Sequence, residues 1–152
     1  MDDVHPETQA RMVDVTGKAP TERRAAAACL VRMSEKTRDV VMRRELSKGD
    51  ALESARIAGI MGAKKTSELI PLCHPIGIGG IDVVLEAREA GIEITAEVVT
   101  FERTGVEMEA LVAVTTAALT LYDMVKGIER EVEINDVRLL SKSGGRSGTW
   151  SR

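Results

Sequence analysis

Seven residues near the C-terminus, Lys142-Ser143-Gly144-Gly145-Arg146-Ser147-Gly148, combine two cations, three glycines and two serines. Glycines let successive backbone N–H groups approach one anion, and the cations add fixed positive charge, so the stretch suits phosphate oxygens. It is not the common nucleotide loop, because the G-x-x-x-x-G-K-[ST] spacing is absent. A flexible basic tail has the same composition, and the stretch alone leaves both readings open.

Acids and lysines elsewhere have spacings that matter more. Glu109, Thr116, Thr120 and Asp123 recur at steps of seven, four and three, which is one stripe of a helix. Lys126 follows Asp123 by three residues and is its natural ion-pair neighbour. Such a pair is either a solvated helix face or a proton-transfer couple; in a closed site, burial would raise the Asp123 pKa while Lys126 limited the rise. Glu107 and Glu109 stand at a helix start, where carboxylates offset the dipole or accept N–H groups of a guanine-like base. Cys73 and His74 are adjacent, so they rarely aim at one target, and zinc is poorly supported with His5 the only other histidine. His74, held between prolines, reads as a substrate hydrogen-bonder or a structural loop residue. Lys48 precedes a helix capped by Asp50, which joins a cation to a positive helix end. The pairs Arg23-Arg24 and Lys64-Lys65 read first as surface charge.

Bulk properties restrict the classes. The chain has 152 residues, 43% hydrophobic and 30% charged, with net charge −3, so any anion site must be local. Phe101, Tyr122 and Trp150 are the only Phe, Tyr and Trp residues, too few for a base-stacking nucleic-acid platform. Two cysteines, Cys29 and Cys73, make neither a disulfide scaffold nor a four-thiolate cluster. No apolar run reads as a membrane span and the acidic start is not a signal peptide. The expectation is a reduced, soluble, cytoplasmic protein.

The positioning elements follow from periodicity. Residues 1–10 read as a loose arm and 11–152 as one domain. Arg11–Val15 reads as a short strand or extended segment. Ala25–Met33 fits a helix or a strand. Ser34 opens a helix to about Leu46, and Asp50 caps another to about Lys65, with small-residue stripes (Ala51, Ala55, Gly59; Ala58, Gly62) that admit a close helix neighbour. A Pro-punctuated loop, 69–80, leads to a hairpin of 81–87 and 91–101. A long helix over 106–130 and a strand over 132–140 complete an α+β pattern: a ferredoxin-like antiparallel sheet with helices packed on one face.

Taken together, these segments resemble the cyclic pyranopterin monophosphate synthase family of molybdenum cofactor biosynthesis. The resemblance runs from Met12-Val13-Asp14-Val15 onward. It rests on Lys48-Gly49-Asp50, Ala55-Arg56-Ile57-Ala58-Gly59-Ile60, Leu69-Ile70-Pro71-Leu72-Cys73-His74-Pro75, Thr104-Gly105-Val106-Glu107-Met108-Glu109-Ala110-Leu111, Leu121-Tyr122-Asp123-Met124-Val125-Lys126 and the glycine-rich end. Arg146 stands where some relatives carry Lys.

The resemblance implies a lyase that converts 3′,8-cyclised dihydro-GTP, made by an upstream radical enzyme, to cyclic pyranopterin monophosphate with release of pyrophosphate. It implies a homohexamer, a trimer of dimers, with sites at subunit boundaries. Asp123 matches the family's catalytic acid, and Lys48 and Lys126 its essential lysines. Leu72, Cys73, His74, Met108 and Glu109 match substrate-binding segments, and Arg23, Glu107 and Lys142 further active-site positions. No dedicated cofactor or metal is implied; Mg²⁺ could accompany the triphosphate, although no carboxylate cage for it is evident. The alternative is a nucleotide-sensing ferredoxin-like domain without catalysis.

Overall fold

Ser34 and Asp50 start helices by satisfying otherwise unpaired N–H groups. Ser34 Oγ accepts from Thr37 N, and Asp50 accepts from the backbone of Leu52 and Glu53. The computed structural model describes residues 9–152, so most of the expected N-terminal arm, including His5, lies outside the described residues. Helix α1 (Glu35–Met42) stops short of the expected Leu46, because Arg44 adopts a left-handed φ of 58°. Helix α2 (Ala51–Lys64) matches the expectation, and a short helix α3 (Thr66–Leu69), which was not expected, fills the gap before the expected 69–80 loop.

The alanine run resolves as a strand, β1 (Thr21–Arg32). Its residues Ala25, Ala27, Cys29 and Val31 are buried, and Cys29 Sγ contacts Val114 O at 3.5 Å on the overlying helix. Small side chains there allow that helix to lie close to the sheet centre. Residues 9–15, by contrast, form no strand. Asp14 Oδ1 accepts from Thr16 N at 2.8 Å and from Thr16 Oγ1 at 2.7 Å, a local turn that competes with pairing.

The hairpin of β2 (Gly80–Arg88) and β3 (Gly91–Glu102) turns on Glu89 and Ala90, with Arg88 opposite Gly91. Gly91 has φ +155°, and a side chain there would run into the Val31 backbone. Helix α4 (Glu107–Val125) ends five residues before the expected Arg130, at a turn containing Gly127. Strand β4 (Glu133–Ser143) runs further than expected, and the two-residue β5 (Trp150–Ser151), which was not expected, pairs Trp150 with Lys142. The glycine-rich stretch is thus a loop closed by strands on both sides, and the flexible-tail reading falls.

The result is one five-stranded antiparallel sheet, ordered β2-β3-β1-β4-β5, in the α+β ferredoxin-like class. The core lies between the sheet and α2 and α4, and includes Val31, Ile92, Ile94, Val98, Val114, Leu121 and Val125. Gly59 and Gly62 of α2 lie directly against α4: a Cβ on Gly59 would sit 2.9 Å from Ala113 O, and one on Gly62 2.8 Å from Thr116 Cβ. The small-residue stripe therefore serves packing inside the fold. By length and composition α4 could cross a membrane, but here it is a core helix with half of its apolar window buried.

Candidate active site

The side chains singled out in the sequence gather at the two ends of α4. The 16 residue steps from Glu107 to Asp123 place these ends roughly 24 Å apart at about 1.5 Å per step. One helix thus carries two separate clusters.

At the C-terminal end, Lys126 Nζ meets Asp123 Oδ1 at 2.7 Å. Lys48, from the connection between α1 and α2, meets Asp123 Oδ2 at 3.5 Å and donates to Asp123 O at 2.9 Å. Both lysines sit where the helix dipole is negative and backbone carbonyls lack helical partners, so the helix end attracts them as the carboxylate does. The expected raised pKa of Asp123 is not what the protomer holds. Its side chain is 58% exposed, and the hydrogen bond and charge of Lys126, helped by Lys48, hold the carboxyl below its ordinary value. Lys126 is raised in turn by Asp123. The reason is the helix's shape: burial on its last turn falls on Leu121 and Val125, and Asp123 faces away from both.

At the N-terminal end, Lys142 Nζ meets Glu107 Oε1 at 2.6 Å, joining the end of β4 to the start of α4. Arg23, near the start of β1, donates to Glu102 O at 3.1 Å and to Arg103 O at 3.2 Å. These residues line a cavity of about 810 Å³ with Lys18, Thr104, Gly105, Gly145, Arg146 and Ser147. Among the described residues four cations, Lys18, Arg23, Lys142 and Arg146, face one carboxylate there, so the cavity favours an anion. Gly145, with φ +72°, lets the loop close over Arg23; a Cβ would come within 2.7 Å of the guanidinium carbon. Lys18 had no signal in the sequence beyond a short Gly17-Lys18-Ala19-Pro20 turn. Its membership in the site comes from tertiary folding alone.

The remaining candidates divide between inside and outside. Glu109 is only 2% exposed, burial raises its pKa, and its Oε2 has no hydrogen-bond partner among the described residues. Cys73 is half-buried, and its thiol is raised by burial and by the nearby Glu109 and Glu107 carboxylates, which places it beside this end of α4. Met108 is half-buried between these acids, while Leu72 is exposed. His74 Nε2 lies 2.6 Å from Val13 O, holding the N-terminal segment. The polar stripe is not one site: Thr116 packs at Gly62, and Thr120 donates to Thr116 O within the helix. Arg24 pairs with Glu22 and Glu97 outside the cavity, and Lys64 and Lys65 are exposed. Among the described residues no group of three or more His, Cys, Asp or Glu side chains converges to hold a metal ion.

Comparison with known proteins joins these clusters. The model of the MoaC family matches residues 12–145, a range that contains Lys48, Asp123 and Lys126 at one end and Lys18, Arg23, Glu107 and Lys142 at the other, with Arg146 and Ser147 just beyond it. The chain belongs to the MoaC family. Among relatives, a protein of Mycobacterium tuberculosis (strain ATCC 25618 / H37Rv) named cyclic pyranopterin monophosphate synthase 2 is 54% identical over 143 residues, covering 94% of this chain and 86% of the relative. The cyclic pyranopterin monophosphate synthase of Corynebacterium efficiens is 54% identical over 148 residues, covering 97% of this chain and 96% of its own. That of Streptomyces avermitilis is 52% identical over 143 residues, covering 94% and 84%. Trp150 and Ser151, which form β5, lie beyond the MoaC family match yet close the glycine-rich loop onto Lys142.

Proposed function

We propose that the protein is a cyclic pyranopterin monophosphate synthase: a cytoplasmic, pyrophosphate-releasing lyase acting on 3′,8-cyclised dihydro-GTP in molybdenum cofactor biosynthesis. The observation that carries this reading is the pairing of two cation-rich clusters, inside the family match except for Arg146 and Ser147, with full-length similarity to synthases. Their separation along α4 supports an assembly in which the Asp123 end of one copy faces the Lys142 end of another, as in a homohexamer built as a trimer of dimers.

The chemistry divides between the two ends. Arg23, Lys142, Arg146 and the glycine backbone neutralise the triphosphate, while Glu107, Glu109, Met108 and the Leu72–His74 segment border the base. Asp123, Lys126 and Lys48 move protons. In the open protomer the pair is an ion pair. Packing a second copy over it removes water, and desolvation favours the neutral partners, a protonated Asp123 and an amine at Lys126. Asp123 then donates its proton to the departing nitrogen as the purine-derived ring opens. Lys126 accepts and returns a proton while the pyranopterin is rebuilt. A sugar hydroxyl attacks the innermost phosphorus, the bond to the next phosphate's bridging oxygen breaks, and pyrophosphate leaves. Lys48 balances the charge that gathers there. Any Mg²⁺ enters on the triphosphate.

The test supplies the purified protein with the upstream radical enzyme's product and follows pyrophosphate and, after oxidation, fluorescent pterin. Asp123→Asn and Lys126→Ala are expected to abolish turnover while Asp123→Asn still binds substrate. Near-normal rates for both, in correctly assembled protein, would remove the pair from the mechanism.

A further inference from the structure

Lys126 leaves α4 on an exposed turn, and an acid three residues later ties that turn to a different helix. Ile128 N and Glu129 N both donate to Val125 O, at 2.9 and 3.1 Å, so the chain folds back tightly after the helix end. The Glu129 carboxylate then accepts from Ser34 N, at 3.1 and 3.2 Å to its two oxygens, and from Ser34 Oγ at 2.9 Å. Thr37, which is buried, stands beside the same carboxylate and, with Ser34, holds its pKa below the ordinary value. Ser34 is also the cap of α1, and its Oγ accepts from Thr37 N while its hydroxyl hydrogen goes to Glu129.

We propose that Glu129 is a positioning residue for the Asp123–Lys126–Lys48 cluster, clamping the turn after α4 to the start of α1. The inference rests on the reading that this cluster moves protons. One carboxylate reaches both limbs of the cluster. Along the turn it lies three residues from Lys126, whose backbone N still donates to Tyr122 O at 2.9 Å. Through α1 it reaches the connection that carries Lys48, which in turn donates to Asp123 O at 2.9 Å. Without the clamp, Lys126, Gly127, Ile128 and Arg130, all exposed, lose their tie to α1, and the lysine's approach to Asp123 is no longer fixed. Small errors in the placing of a reacting group cost rate heavily, even when the cause lies far from the chemistry.

The test compares Glu129→Ala, Glu129→Gln, Glu129→Asp and Lys126→Ala with the parent protein, measuring kcat and KM by pyrophosphate release and fold by circular dichroism. Glu129→Ala is expected to lower kcat by about tenfold to a hundredfold, with KM within about twofold. Glu129→Gln, whose amide oxygen still accepts from Ser34, is expected to recover kcat to within about threefold. A folded Glu129→Ala protein with kcat within about twofold of the parent, or with its loss confined to KM, overturns the clamp. If Glu129→Ala does not fold, Glu129→Asp, shorter by one methylene, is judged by the same criterion. Lys126→Ala separates the two failures: if it is inactive while Glu129→Ala is normal, the clamp alone falls. If Lys126→Ala turns over normally, the site reading falls and takes the clamp with it.

Discussion

Replacing Gly62 with alanine tests whether packing of α2 on α4 holds the Asp123–Lys126–Lys48 cluster together. The added Cβ would lie 2.8 Å from Thr116 Cβ and 3.0 Å from Thr116 Cγ2, where ordinary contact begins at 3.4 Å. The helices must therefore part by roughly 0.6 Å at this level, and both are core elements backed by the sheet. Overpacking of this kind costs about 1–3 kcal/mol, against about 1 kcal/mol gained because alanine favours helix over glycine. The net is a destabilisation of up to about 2 kcal/mol, or a Tm lower by up to about 6 °C for a chain of this size. Separating α2 from α4 also carries the Lys48 connection away from Asp123, so kcat should fall with Tm. Gly127, with nothing within 4 Å of a built Cβ, is the control, and Gly127→Ala should leave Tm unchanged. Scanning calorimetry at fixed protein concentration, with turnover assays on the same samples, reads both effects. If Gly62→Ala instead raised Tm, as helix preference alone dictates, the close approach of the two helices would be refuted.

Two further outcomes follow from the cation-lined end of α4. Glu109 is buried with an unpaired oxygen and its pKa is raised, so the folded state holds a proton that the unfolded chain releases above about pH 4.3. Stability is therefore lost as pH rises from that value through the raised folded pKa; Glu109→Gln should raise Tm at neutral pH, the gain vanishing near pH 4 in pH-dependent thermal melts. Lys142→Ala removes a cavity cation and leaves Glu107 unpaired, so KM should rise about tenfold or more, with a weaker salt dependence in initial-rate assays.

What the sequence made legible was local. Asp50 as a helix cap, the Glu89-Ala90 turn with Gly91, and the Asp123–Lys126 spacing each depend on residues within one or two turns, and each stands as read. The alanine run of β1 was ambiguous because helix preference and strand burial conflict, and only its place between β3 and β4 decides it. Of the two readings of Arg11–Val15, a short strand or an extended segment, only the strand falls: weak alternation mimics one, while the Asp14 side chain builds a turn. Lys18 enters the cavity from a segment with no periodic signal. The exposure of Asp123 was hidden for a different reason: it depends on where α4 ends relative to its buried face, and the sequence reading carried that helix five residues too far. The candidate residues were identifiable, but their division between two ends of one helix was not.

The central claim is that each catalytic centre takes Asp123, Lys126 and Lys48 from one copy and the Arg23–Lys142 cavity from another. Subunit complementation tests it directly. Asp123→Asn protein, inactive alone, and Lys142→Ala protein, impaired through KM, are unfolded, mixed in equal amounts, reassembled and assayed with substrate well below the parental KM. If the two ends come from different copies, a site is intact only where both contributors are unmutated at the relevant end, and about one quarter of parental activity returns. Recovery no greater than the average of the two separately reassembled variants would place both ends of the site within one chain and contradict the account.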